Sequence, residues 1–308
     1  MYVYYMYMES KNTPLVSVVT PVYNRGQFVQ RALFSALRQE YQNMEFIVVD
    51  DGSTDDTKQI ILSIQDQDKR VILIENTKNQ WISISRNKWM HIAKWKYIAP
   101  LDSDDEYVDP YKTHKQVAFL EQHPDIGFLG TNNIVKQQRD NAFIFYKSEH
   151  PLSDDIIKES ILSHNPFCHS TVMYRNIYDN FGGYPEDILH TEDYGYWLRA
   201  GTHTKFANLP DYTTLYNSHN NNTSHIHRLA QKLESLWLSW QYRNDYPNAF
   251  RCLSTKAYGG LYSWLSSYME IHYPLLKDEI RRMLWRPTRH SLEDKQWIEQ
   301  LIALLQIK

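Results

Sequence analysis

Cysteine is almost missing from this sequence. Cys168 and Cys252 are the only two in 308 residues. Two thiols cannot build a disulfide framework, so a reducing, cytoplasmic compartment is expected. Long apolar runs are missing as well, since none approaches the roughly 18–20 residues of a membrane span. The Tyr-rich opening MYVYYMYMESKN has no basic stretch, which makes it a poor export signal and more naturally a tail or edge strand. Without export, the Asn-x-Ser/Thr sequons beginning at Asn221 and Asn222 carry no expectation of glycosylation. Strong charge of one sign is also lacking. The net charge of −3 argues against a general nucleic-acid binder. Neither an internal repeat nor a low-complexity tract is visible. What remains is 42% apolar residue content, enough for a sizeable core in one large domain or two smaller ones.

The first third alternates between two hydrophobic periods. Leu15–Thr20, Glu45–Asp50, Val71–Glu75 and Tyr97–Leu101 are short, β-branched or apolar runs that read as buried strands. Between them, Phe28, Ala32, Leu33, Ala36 and Leu37 recur at helical spacing, and so do Ile60, Ile61 and Ile64 after a Ser53-Thr54-Asp55 cap. Ile82–Trp95 reads as a third helix. Strands alternating with helices predict a parallel sheet with right-handed crossovers. Ligands of such sheets bind beyond the carboxyl ends of the strands. Three polar clusters fall there: Pro21–Arg25, Asp50–Ser53 and Asp102–Asp105. They are expected to meet on one edge. Residues 141–224 read as short strands and loops. Beyond about residue 225 the pattern turns helical, with stripes at Leu229, Leu233, Leu236, Trp237 and Trp240 and at Leu261, Trp264, Leu265 and Tyr268.

One stretch asks for an explanation. YIAPLDSDDEYVDP places Asp102, Asp104, Asp105 and Glu106 within five residues at the end of the fourth strand. Two carboxylates about 4 Å apart repel by roughly 4 kcal/mol at an effective dielectric near 20. Either water screens the charge or a cation sits there. Asp102 and Asp104 could face one hard divalent ion, Mn²⁺ or Mg²⁺, which takes one or two carboxylates plus phosphate oxygens. A solvated acidic loop capping the next helix is the plainer alternative.

Taken together and in order, PLVSVVTPVYNR, EFIVVDDGSTDDT, ISRNKW and YIAPLDSDDEYVDP resemble the nucleotide-sugar half of a family-2 glycosyltransferase. NPFCHSTVMYR, FGGYPED, HTEDYGYWLR and LYNSH resemble that family's acceptor half. The resemblance runs from about Pro14 to His219. It implies an α/β fold of the GT-A (Rossmann-like) type, a mostly parallel sheet flanked by helices, followed by a C-terminal helical extension. The implied organisation is a tail over 1–13, a nucleotide-sugar half over 14–140, an acceptor half over 141–224 and a helical region over 225–308. The implied activity is metal-dependent, inverting transfer of a sugar from a nucleoside-diphosphate donor, UDP-linked by preference, to a hydroxyl of a glycan or glycolipid.

The same resemblance implies roles for residues. Pro21 and Tyr23 would border the nucleobase, with the Tyr23 ring stacking on it. Asp51 would bond the base edge, whereas Asp50 reads better as a turn residue. Arg86 would approach base or phosphate. Asp102 and Ser103 would meet the ribose, and Asp102, Asp104 and His219 the ion. Asp105 is open between supporting the ion and capping a helix. Asp193 would be the general base that inversion requires opposite the leaving diphosphate. Glu192 would orient it or bind acceptor hydroxyls. Glu192-Asp193 also suits an ordinary helix start, where acids are favoured. His169 would line the acceptor pocket, and Trp197, one turn beyond Asp193, would pack or stack on a sugar.

There are departures. Trp81 and Trp89 stand where the family often has glycine. Tyr216-Asn217 replaces a frequent Tyr-Arg, which weakens the assignment of His219. A sugar-phosphate nucleotidyltransferase is a rival, but Pro21–Gly26 lacks its glycine-rich loop. A catalytically inactive nucleotide-sugar- or glycan-binding module is another, opposed by the intact Asp104 and Asp193. The segment 225–308 carries four more basic than acidic residues. With Arg281, Arg282, Trp285 and Arg286 it could supply a homodimer surface or a peripheral contact at the inner face of a membrane.

Overall fold

A computed structural model describes residues 13–80, 82–92, 96–139, 142–176, 181–219 and 222–252. The N-terminal tail before residue 13, Trp81 and everything beyond 252, including the 281–286 cluster and the second helical stripe, lie outside the described residues. So do the side chains of Trp89, Leu229, Leu233, Leu236 and Trp240.

The first four strands are those expected, shifted by a residue or two at their ends. They are β1 (Val16–Val22), β2 (Met44–Asp50), β3 (Val71–Glu75) and β4 (Tyr97–Pro100). Helices α1 (Gly26–Leu37), α2 (Thr57–Gln67) and α3 (Ile82–Ile92) connect them. β1 and β2 are buried along nearly their whole length, which is why they read as continuous apolar runs and not as alternation. α1 docks through Val29, Ala32, Leu33 and Ala36, all at most 1% exposed. Fully burying a side chain such as Leu33 contributes about 1.5–3 kcal/mol. Asp55 starts α2 by accepting bonds from the Thr57 amide and hydroxyl, and its second oxygen accepts from the Gly26 amide at the start of α1. One carboxylate thus anchors two helix N-termini.

Downstream lie β5 (Glu106–Tyr107), α4 (Lys112–Gln122), β6 (Ile126–Arg139), β7 (Ala142–Ser148), α5 (Asp154–Ser160), β8 (Met173–Arg175), α6 (Glu192–Ala200), β9 (Lys205–Ser218), α7 (Thr223–Ile226) and α8 (Arg228–Gln241). Among the described residues the strands form one sheet in the order β3-β2-β1-β4-β8-β6-β9-β5, with β7 paired to β6. The four strands β3-β2-β1-β4 are parallel. β8 then runs antiparallel to β4 and β6, and β6 runs parallel to β9. The sheet is therefore mixed beyond β4, and its second half is less parallel than the sequence implied. Nor are its strands all short, since β6 and β9 have 14 residues each. Their Asn, Gln and Pro content hides them, and register shifts near Thr131–Asn133 break the period a strand normally shows. The boundary expected at residues 140–141 falls between β6 and β7.

Two apolar clusters hold the sheet. One packs α1, α2 and α4 on the parallel strands. The other surrounds Phe128, Tyr174, Tyr184, Tyr196 and Trp197, with α8 closing it through Leu238.

Candidate active site

The parallel ladder delivers the first three polar clusters to one edge. Val22 pairs with Asp50, and Val19 with Pro100. Past the strands the ladder continues with Asp51 N donating to Val22 O at 2.9 Å and Leu101 N to Val19 O at 3.0 Å. The turns there are cross-linked. Asn24, in the left-handed region at φ 52°, accepts from the Thr54 amide at 2.8 Å, and its own amide donates to Ser53 Oγ at 2.9 Å. Gly52 has φ 81°, and a Cβ there would meet the Lys78 backbone at 3.2 Å, so the Asp51–Ser53 turn needs glycine. Asp50 serves that turn by accepting from the Ser53 amide at 2.9 Å, as its sequence context suggested.

A cleft of about 1360 Å³ opens along this edge. Ten of the twelve residues singled out from sequence line it: Pro21, Tyr23, Asp51, Arg86, Asp102, Ser103, Asp104, His169, Glu192 and Asp193. Tyr23 is 44% exposed, so its ring is free to meet a ligand. Asp51 is buried in a cradle. It accepts from Asn76 Nδ2 at 2.9 Å, the Gln80 amide at 3.0 Å and Ser85 Oγ at 3.2 Å.

At the centre lies a buried ionic chain. Arg86, on α3, donates to Glu192 Oε1 at 2.5 Å and to Asp102 Oδ1 at 3.0 Å, with its guanidinium 5.1 Å over the Tyr184 ring. It was expected to reach base or phosphate, yet it joins the β4 loop to the start of α6. Burial alone would favour losing its proton, but Glu192 and Asp102 outweigh that and hold Arg86 firmly charged. Burial pushes the Glu192 carboxyl up, with Arg86 pulling against it. Glu192 is thus a partner of Arg86, and Asp193 is oriented by other groups. Burial also works against an ionised Asp102, yet His169 and Arg86 bring it well below the usual carboxylate range. A carboxylate depressed in the folded state contributes stability that is complete above about pH 4 and is lost as pH falls through its folded value.

His169 departs from expectation in the same way. Its Nδ1 stands 3.0 Å from Asp102 Oδ1 and its Nε2 3.1 Å from the Tyr184 hydroxyl. Arg86 Nη2 lies 3.4 Å from the same Nδ1. The ring props Asp102 and has little surface left for an acceptor. Trp197 is a clear correction. It is fully buried among Phe128, Phe167 and Tyr196, so it packs and does not stack on a sugar. Four residues on from Asp193 it shares that face of α6, but one turn further along the face has passed into the apolar cluster.

Asp104 and Asp102 diverge although they share one tripeptide. Asp104 Oδ2 lies 3.1 Å from His219 Nε2 and 3.4 Å from Asn222 Nδ2. His219 reaches it from the end of β9, stacked on Phe28 with ring centroids 4.7 Å apart. Asp105 turns inward, accepting from Ser170 Oγ at 2.6 Å and the Asn217 amide at 3.1 Å. Burial, then the charges of Asp104 and Asp102, push its carboxyl well up. It therefore supports the loop and caps no helix. Asn217, which departs from the family's usual Arg, also donates to Asp104 O at 2.7 Å.

Could these groups hold a divalent ion? Two ligands each about 2.1 Å from an octahedral ion stand about 3 Å apart, which matches Asp104 Oδ2 and His219 Nε2. Asp102 Oδ1 is already engaged by Arg86 and His169. Among the described residues, no three His, Cys, Asp or Glu side chains gather as a ready site. The donor set fits an ion held by one or two protein ligands and completed by diphosphate oxygens.

Asp193 opens α6 with its side chain at the cleft. Its Oδ2 accepts from Asn165 Nδ2 at 2.8 Å and its Oδ1 from the Tyr194 amide at 2.7 Å. The preceding loop is tied from outside by α8. Glu234 accepts from the His190 amide and the Thr191 hydroxyl, both at 3.0 Å, and Gln231 Nε2 donates to His190 O at 2.8 Å. Asn165, Ser170 and Tyr184 were missed as site residues, although each lies inside a quoted motif. Glu234 offered no signal, because on an amphipathic helix it looks like any solvated acid.

A family model for glycosyl transferase family 2 matches residues 17–182. The chain belongs to this family. It is a glycosyltransferase, and several curated relatives carry that name. An uncharacterized glycosyltransferase of Haemophilus influenzae is 31% identical over 229 residues, covering 72% of this chain and 71% of the relative. The E. coli protein named UDP-Glc:alpha-D-GlcNAc-diphosphoundecaprenol beta-1,3-glucosyltransferase WfaP is 31% identical over 265 residues, covering 83% of this chain and 98% of its own. Among solved structures, the mannosyltransferase PcManGT of Pyrobaculum calidifontis, in complex with GDP-Man and Mn²⁺, superposes with a TM-score of 0.63 at 16% identity over 98% of this chain and 92% of that one. S. aureus TarS in complex with UDP gives 0.57 at 19% identity over 88% and 78%. These two likenesses establish the GT-A fold of the family-2 chain.

Proposed function

We propose that this glycosyltransferase inverts configuration as it moves a sugar from a nucleoside-diphosphate donor, UDP-linked, to a hydroxyl of a glycan or glycolipid. The observation that carries the reading is one cleft lined at once by Tyr23, Asp51 and Asp104 from the parallel strand ends and by Asp193 from α6. The donor nucleoside lies against Pro21 and Tyr23, with Asp51 held rigid for the base edge. Ser103 and Asp102 border the ribose. Arg86 acts by holding Asp102 and Glu192 in place, and His169 by propping Asp102. Asp193 takes the acceptor proton. A sugar hydroxyl is far less acidic than a carboxylic acid, so the transfer gains from Asp193 mainly as that proton becomes acidic in the transition state.

Asp104, with His219 beside it, would hold Mn²⁺ or Mg²⁺. Such an ion offsets the charge that gathers on the departing diphosphate. The names of relatives support the donor class: WfaP for UDP-glucose, TarS with UDP, PcManGT with GDP-mannose and Mn²⁺. WfaP's acceptor is a diphosphoundecaprenol-linked sugar by name, which favours a lipid-borne acceptor here. The test is a panel of nucleotide sugars with Mn²⁺, read by thermal shift and by release of nucleoside diphosphate. Asp104→Ala is expected to abolish the Mn²⁺-dependent part of the donor shift. Turnover that survives full chelation would remove the metal from this reading.

A further inference from the structure

The β6–β7 ribbon carries an apolar surface for which the transfer reaction has no use. Phe143, Ile144, Phe145 and Tyr146 are 57%, 40%, 58% and 49% exposed. Successive strand residues point to opposite faces, so four in a row leave both faces of β7 apolar and uncovered. The register places Phe143 opposite Gln138 and Phe145 opposite Lys136 on one face. Ile144 opposite Gln137 and Tyr146 opposite Val135 make the other. Among the described residues β7 pairs with β6 alone.

Cations accompany the rings. Lys136 Nζ lies 4.5 Å over the Phe143 ring, and Lys147 Nζ lies 4.4 Å over the Tyr212 ring. With Arg139 they make three basic residues on the ribbon, against two acids, Asp140 in the connecting residues and Glu149 just past β7, which accepts from the Tyr212 hydroxyl at 2.7 Å. The ribbon is also continuous with the cleft. Asn133, Val135 and Ser148 at its base line the cleft wall. They share a face with Tyr146 and Ile144, so the apolar face runs from the wall outward.

We propose that this ribbon is a peripheral membrane-docking element. It seats its aromatic residues among the headgroups of an anionic lipid surface and sets the β6–β7 wall of the cleft against that surface. β7 is the outer strand of this edge, with β9 continuing the sheet beyond β6 as far as Gln137, and a flat protein partner would cover one of its faces, whereas a lipid interface meets both. Aromatic rings with basic side chains laid over them suit headgroup depth, where the apolar stem is buried and the charge meets phosphate. No helix among the described residues is long and apolar enough to cross a membrane, so the ribbon itself would act at the surface. Docking does not depend on the transfer reaction. Only the presentation of a lipid-borne acceptor rests on the function proposed above.

Flotation of the full chain with vesicles tests it, using phosphatidylcholine alone and phosphatidylcholine mixed with phosphatidylglycerol. The wild type is expected to rise with the mixed vesicles. Phe143→Ser with Phe145→Ser should lower its partitioning at least about tenfold, since two exposed rings lose their apolar burial. Lys136→Gln with Lys147→Gln should reduce the preference for anionic vesicles by about tenfold. Thermal shift by the nucleotide-sugar donor should stay unchanged in both variants, which shows that they fold. A wild type that stays at the bottom overturns the proposal, and so does a double-Ser variant that floats equally well. Light scattering that finds a dimer made monomeric by the Ser substitutions, without lipid binding, would assign the ribbon to a second copy of the chain. Lost transfer with flotation intact would strike the proposed function and leave the docking standing.

Discussion

The two ends of the cleft are built by different means. At the parallel end, side chains are placed by strand register. Asp51 follows β2 by one residue, and its carboxylate sits in a cradle formed by the segment that follows β3. At the other end, Asp193 sits on α6, and its placement depends on contacts distant in sequence. Asn165 holds its oxygen, Arg86 holds its neighbour Glu192, and Glu234 holds the loop before it. Register is collective, because many backbone bonds share it. Side-chain tethers act singly, so each can be cut by one substitution. The comparison predicts that the Asp193 end is the easier one to disable without unfolding the protein.

The largest expected effect is at Asp193 itself. Asp193→Asn keeps the side-chain volume and removes the proposed base. Transfer should fall by about 10²–10⁴-fold, with donor-induced thermal shift unchanged. Normal turnover by this variant would remove Asp193 as the base. Next comes the link between the two ends. Arg86→Met leaves Asp102 and Glu192 buried without their cation, and breaking such a pair costs about 3–5 kcal/mol. Denaturant unfolding measures it, and a loss under about 1 kcal/mol would mean that the ends stand independently.

Glu234→Ala sharpens the comparison without touching the cleft's acids. It frees the Leu189 and His190 amides and the Thr191 hydroxyl. Leaving such groups unpaired costs about 1–3 kcal/mol. We expect kcat to fall about tenfold at unchanged donor affinity, a shift of about 1.4 kcal/mol in the barrier. Equal losses in both would show that α8 stabilises the whole cleft and not the Asp193 end alone.

The last effect, the most remote from the cleft, concerns the seam beneath the two halves. Lys112 is fully buried, 2.8 Å from Gln116 Oε1, with its Nζ 4.2 Å over the Tyr107 ring. Gln116 in turn donates to Leu129 O and Thr171 O, which belong to the second half. Burial lowers the Lys112 ammonium to about 7. Between about pH 7 and the unfolded value near 10.4, the unfolded chain then binds more protons at this site than the folded one. Lys112 therefore makes stability rise with pH across that window, by at most about 1.4 kcal/mol per pH unit. Below pH 7 both states are protonated and the slope disappears. Buried phenol groups such as Tyr107 oppose this at high pH, because their folded values are raised by burial. The difference between wild type and Lys112→Met isolates the lysine. Stability curves that stay parallel from pH 7 to 10 would contradict a neutral buried amine.

The sequence alone determined the parallel strands, the helices between them and the edge where Asp51, Asp102 and Asp104 would meet. These follow from hydrophobic period and from the rule that strand ends converge, both of which act over a few neighbouring residues. Motif order went further and brought Asp193 to the same cleft. Only the tertiary structure decided what each polar side chain faces. It sent Trp197 into the core, turned Asp102 to Arg86 and His169, left Asp104 to His219, and fixed the loop before Asp193 from α8. The physical reason is range. A period is written in adjacent residues, whereas the partner of a buried charge is whichever group the fold carries to within 3 Å, here 106 positions away for Arg86 and Glu192.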